Sequence, residues 1–157
     1  MKVQKVTLKD VEIRERNGEF ERVFVNEKTY PAFLTNYTLK RGKELGYIES
    51  SLFSELAKLQ HLQDLEEKNG ELSLAALEGF DESKALQIIY LAVTGANRKL
   101  ELSFDEFLEK YHDSFEKTMT LYANLIADLV ASDQNQFAKG LKKSTKHNHK
   151  KKPNRHQ

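Results

Sequence analysis

Cysteine is absent from the chain, which excludes disulfides, thiolate metal sites and a cysteine nucleophile, and fits a reducing cytoplasm. The start Met1-Lys2-Val3-Gln4-Lys5 has no apolar signal core, so secretion through a signal peptide is not expected and the sequon Asn36-Tyr37-Thr38 carries no weight. The longest apolar run, Ile88 to Val93, is far too short to span a bilayer, so no membrane partner is expected. No Gly/Ser-rich or Pro-rich linker and no repeat of fixed period divides the chain before its end. A Gly-rich phosphate loop, a nucleophile elbow and a His-Glu-x-x-His pattern are all missing, which leaves no enzymatic motif and no implied cofactor or metal.

Acid is missing from one region. Eight of the 25 Lys and Arg, and none of the 24 Asp and Glu, fall in Gln134–Gln157, leaving the preceding 133 residues with a net charge of −7. An acidic body carries a basic end. Past Leu141 there is no apolar residue, and Lys, His and Asn prevail around Pro153, so residues 142–157 are expected to be a disordered tail. Residues 1–141 are long enough for one domain that buries roughly two thirds of its unfolded surface.

The N-terminal third reads as strand, over about residues 3–38. Val11 and Ile13 precede Asn17-Gly18, and Phe20, Val23 and Val25 follow it; Asn-Gly best supplies the two positive-φ positions of a tight hairpin turn. Glu12, Arg14, Glu19, Glu21 and Arg22 would populate the wet face. A third strand is expected across Tyr30 to Thr38, with Phe33, Tyr37 and Leu39 on alternate positions and Pro31 marking an edge or a strand start.

Helical patterning then takes over, through about residues 39–140. A short basic helix from Leu39 to Leu45 stops at Gly46. A longer one starts at Ser50 or Ser51 and carries Leu52, Phe53, Leu56, Leu59, Leu62 and Leu65 to a stop at Asn69-Gly70, followed by Leu72 to Leu77. Asp81 caps the next, in which Leu86, Ile89, Tyr90 and Val93 share one face, with Gly95 and Asn97 suited to a left-handed end near Ala96. Ser103 and Glu106 form a capping box for a helix to His112, with Phe104, Phe107, Leu108 and Tyr111 at helical spacing. The last long helix holds Leu121, Tyr122, Leu125, Ile126, Leu129 and Val130. The fold class expected is α+β and predominantly α: a small antiparallel hairpin or sheet, then a helical bundle, then a basic tail.

Ionisable candidates for chemistry are scattered. His61 and His112 fall on helical patterns without a second ligand at i+3 or i+4, and His147 and His149 lie in the tail, where they would hold a metal only weakly. Glu66-Glu67, Glu101 with Asp105 and Glu106, and Glu109 with Asp113 oppose apolar positions and read as solvated helix faces. The tail residues Lys142, Lys143, Lys146, Lys150, Lys151, Lys152 and Arg155 are the candidates for nucleic-acid contact, but no aromatic accompanies them to stack on a base and the acidic body would repel a duplex. Most aromatic residues belong to the core; Tyr47, Phe80 and Phe115, near helix ends, are the candidate partner-binding anchors.

Lys28-Thr29-Tyr30-Pro31-Ala32 followed by Thr38-Leu39-Lys40-Arg41-Gly42-Lys43-Glu44-Leu45, then Ile88-Ile89-Tyr90-Leu91-Ala92 leading into Gly95-Ala96-Asn97, and the restart Leu102-Ser103-Phe104-Asp105-Glu106-Phe107 form an ordered set. Over roughly residues 25 to 130 this arrangement resembles the tail assembly chaperones of long-tailed phages and prophages of Gram-positive bacteria. The resemblance implies a non-enzymatic protein of the bacterial host cytoplasm, absent from the mature virion, that coats the tape measure protein until the tail tube polymerises. Apolar grooves on helices would hold amphipathic client segments. Tail tube protein would compete for that surface, and many copies on a long client make a homo-oligomer an expectation. Such chaperones are often made in two lengths by ribosomal frameshifting, and Lys150-Lys151-Lys152 suits a slippery adenine tract that would yield a longer form of the chain. Two other readings stand beside this one: a small regulatory or nucleic-acid-associated protein acting through its basic tail, and a structural tail completion protein.

Overall fold

A computed structural model describes residues 2–49, 54, 55, 57, 58, 60, 61 and 81–148, with the backbone alone described over 132–148. Two long antiparallel strands, β1 (Gln4–Arg16) and β2 (Glu19–Ala32), are joined at Asn17-Gly18, whose φ of 54° and 80° are those of a type I′ turn. The register runs from Arg16 opposite Glu19 to Gln4 opposite Ala32 and slips once between Leu8 and Asp10. There β2 has one residue more than β1, and Asn26 takes φ 53° at the bulge.

The bulge divides the hairpin into a root and an arm. In the root, Val6, Leu8 and Ala32 are buried in the core with Leu34. In the arm, every residue from Val11 to Arg22 is exposed. The expected third strand does not form. Pro31, which lacks a ladder donor, lies opposite Lys5 at the end of β2, and Tyr37 and Leu39 belong to a helix instead.

That helix, α1 (Asn36–Glu44), starts three residues before the sequence pattern suggests because Thr35 caps it. The Thr38 amide donates to Thr35 Oγ1 (3.3 Å) and the Thr35 amide to Thr38 Oγ1 (2.7 Å). At the other end Gly46, φ 75°, donates to the Lys43 carbonyl and Tyr47 to that of Gly42, closing the helix with a Schellman motif. Ser54, Glu55, Ala57, Lys58, Gln60 and His61 are helical, in line with the long helix expected there; its leucines and the stretch Leu72 to Leu77 lie outside the described residues.

The centre of the fold is α2 (Glu82–Ala96), capped by Asp81 through the Lys84 amide (3.2 Å). Ile88 to Thr94 are buried consecutively, so this helix is enclosed on all sides rather than on one stripe. Its end differs from the left-handed finish expected of Gly95 and Asn97. Asn97 has φ −123° and its side-chain amide donates to the Val93 and Pro31 carbonyls (2.7 and 2.9 Å), fixing the helix end to β2.

Ser103 and Glu106 form the capping box of α3 (Phe104–Lys110), with reciprocal bonds of 3.1 Å. Tyr111 ends α3, so His112 sits in the following link and not within a helix. The last helix, α4 (Phe115–Asn148), buries Tyr122, Leu125, Ile126, Leu129 and Val130 against the core. Its backbone is helical through Lys142 to Asn148. Lysine is a good helix former, and cations at a helix C-terminus are favoured by the macrodipole. Residues 149–157 lie outside the described residues.

Candidate functional site

The described helices bury most of their apolar side chains and leave Tyr37, Leu108, Phe115 and the α1 cap Leu45 exposed, whereas the hairpin arm exposes a cluster. Of nine large hydrophobic side chains found exposed, four lie on the arm: Val11, Ile13, Phe20 and Phe24. The register explains why they gather. Val11 lies opposite Phe24, Ile13 opposite Arg22 and Glu15 opposite Phe20, so all six share one face, while Asp10, Glu12, Arg14, Arg16, Glu19, Glu21, Val23 and Val25 share the other. Arg22 is therefore on the apolar face and not on the wet face expected for it. Phe20 is 77% exposed and Ile13 66%, values that set them apart from a half-covered core edge.

Phe24 marks where this face meets the body. Its ring lies 4.9 Å from that of His112, with Lys9 and Arg22 over its face at 5.3 and 5.1 Å. His112 Nε2 is 3.2 Å from the Lys9 carbonyl oxygen, so the α3–α4 link holds the bulge from outside. On the opposite face Lys110 donates to Asp10 Oδ1 (3.0 Å) and Asn26 to Asp10 Oδ2 (3.0 Å). These two donors, Asn26 foremost, hold the Asp10 carboxyl below its ordinary range, and the same bond raises Lys110.

Beside this joint lies a groove of about 520 Å³ between the hairpin root and α3. Leu8, Tyr30, Leu100 and Leu102 contribute apolar lining, and Lys9, Lys28 and Lys110 stand with Asp10, Glu101, Glu106 and Glu109. Glu101, Glu106 and Glu109 are exposed as expected, and Glu106 is already engaged in the capping box. The arrangement offers hydrogen bonds and charge pairing to a chain laid along it. Among the described residues no three His, Asp or Glu side chains come together to hold a metal ion.

The aromatic anchors proposed from sequence fall elsewhere. Tyr47 is half-buried, its ring 5.6 Å from Phe104 at the margin of the cluster formed by Tyr90, Phe104, Phe107 and Tyr111. Phe115 stands in the first turn of α4 with 37% of its surface exposed, and Phe80 lies outside the described residues. Of the basic residues, Lys142, Lys143 and Lys146 follow the backbone of α4, whereas Lys150, Lys151, Lys152 and Arg155 are outside the described residues. The arm's apolar face was the surface that helix-centred reading missed. Counting outward from Asn17-Gly18 pairs Phe20 with Glu15 and Phe24 with Val11, and that count alone would have assembled it.

No protein-family model, no curated protein and no solved structure matches this chain. Among the described residues no helix is long and apolar enough to cross a membrane.

Proposed function

We propose that this chain is a non-enzymatic tail assembly chaperone that holds the tape measure protein soluble before the tail tube polymerises. The observation that carries the reading is the exposed apolar face of the hairpin arm, on a domain whose described helices place most of their apolar side chains in the core. A protruding patch of this kind, rimmed by charge, suits reversible contact with another polypeptide. Binding through the arm replaces the helix grooves that the sequence suggested. The acidic body would keep a loaded complex dispersed. Such a protein acts in the host cytoplasm, is left out of the finished virion, and leaves its client as tube subunits take over.

A very long tape measure reading frame is expected immediately downstream of the gene. Co-expressed with that product, the wild-type chain should keep it in the soluble fraction. The double variant Ile13→Ser, Phe20→Ser, altered only at exposed positions, should weaken the complex by about tenfold or more. Equal solubilisation by wild type and variant would overturn the role of the arm. Removing residues 142–157 should leave client binding in place; loss of binding to RNA or DNA as the main consequence would instead favour the nucleic-acid reading of the tail.

A further inference from the structure

We infer that the free edge of β1 is a self-association surface that pairs antiparallel with β1 of a second copy of this chain, in a register centred on Ile13. β1 has β2 along one edge and, among the described residues, no strand along the other, which His112 and Lys110 meet at Lys9 and Asp10 and which is open from Val11 onward. In a two-residue I′ hairpin the closing pair, here Arg16 and Glu19, exchanges both ladder bonds, and the pairs then alternate. The N–H and C=O groups of Val11, Ile13 and Glu15 consequently point away from β2. An arm exposed on both faces and open at its edge is marginal on its own and is the kind of strand that recruits another.

The charges along that edge name the occupant. On the face that carries Asp10, Glu12, Arg14 and Arg16, acids precede Ile13 and bases follow it. Antiparallel pairing about Ile13 sets Glu12 against the second copy's Arg14, and two-fold symmetry repeats the pair; Asp10, already bonded to Lys110 and Asn26, comes opposite the second copy's Arg16 at the end of the paired stretch. Sliding the centre by one residue brings Glu12 against Glu12 or Arg14 against Arg14; sliding it by two brings Asp10 against Glu12 or Arg14 against Arg16. One register is complementary and its neighbours repel. Glu12 and Arg14 are exposed, and within one chain they already bond at 2.9 Å, so both are placed to exchange partners. The β2 edge lacks this property, since a pairing centred on Arg22 opposes two guanidinium groups. The resulting four-stranded sheet would carry Val11, Ile13, Phe20 and Phe24 of both copies on one continuous face.

The test is a charge swap on the full chain, read as mass by sedimentation equilibrium without any client, so it stands apart from the functional reading. Wild type should form a dimer. Arg14→Glu alone and Glu12→Arg alone should each raise the dimer dissociation constant at least about tenfold, because each puts like charges opposite one another twice. Mixed in equal amounts, the two variants should restore a dimer containing one of each. A wild-type chain that stays monomeric up to about millimolar concentration would overturn the proposal. So would single variants that dimerise like the wild type, or a mixture that fails to pair.

Discussion

Gly95 lies within α2, not at its left-handed end, and what it provides is nearness. A Cβ there would run into Thr38 Cγ2 of α1, and a Cβ on Gly42 would come within 2.8 Å of Leu91. The two helices approach so closely only because these positions lack side chains. Gly95→Ala should therefore destabilise the fold by about 1–3 kcal/mol despite its better helix propensity, measured as a lower urea midpoint. Asp10 offers a second test at this scale. Its carboxyl is held below the ordinary 3.8, so the stability it lends is present above that value and is lost as the pH falls through the lowered one. Hydrogen-exchange protection at the hairpin root should fall in wild type as the pH drops below 3.8, and Asp10→Asn should remove that part of the acid dependence.

Elements repeat the same division between what is local and what is not. The Ser103-Glu106 box forms as the sequence specifies, and Ser103→Ala should cost about 1 kcal/mol, lowering the urea midpoint with the slope unchanged. Asn17-Gly18, Asp81 and the Gly46 stop are likewise in place, because each is satisfied by neighbours within a few residues. Segments in which two local signals compete were not legible. The alternation across Tyr30 to Thr38 looks like strand until Thr35 and Thr38 bond each other and turn the chain into α1. Lys142 to Asn148 read as tail by composition, yet continue a helix. The arm's pairing was written around its turn, whereas its exposure depends on where the body ends, which no local pattern states.

At the scale of the molecule, α2 is the hub: α1, α3, α4 and β2 all pack on it. Phe107 is the largest fully buried side chain of α3, set between Tyr90 and Tyr111 with ring centroids 5.8 and 5.2 Å away. Phe107→Ala should lower stability by about 3–5 kcal/mol while calorimetry still shows a single transition, since the elements share one core. The arm beyond Asp10 takes no part in that core. It extends about 20 Å by the rise of its strand, and substitutions at its exposed positions should leave the melting temperature of the monomer nearly unchanged while altering what the protein binds.

The single slip of register at Asn26 has a corollary for how this projection tolerates length. Between that kink and the tip, each strand alternates sides residue by residue, so adding one residue to both strands would turn the distal aromatic side toward the opposite solvent. Adding two would restore it and carry the tip about 7 Å further out. Changes of reach are thus available in even steps, and odd steps invert what the tip displays.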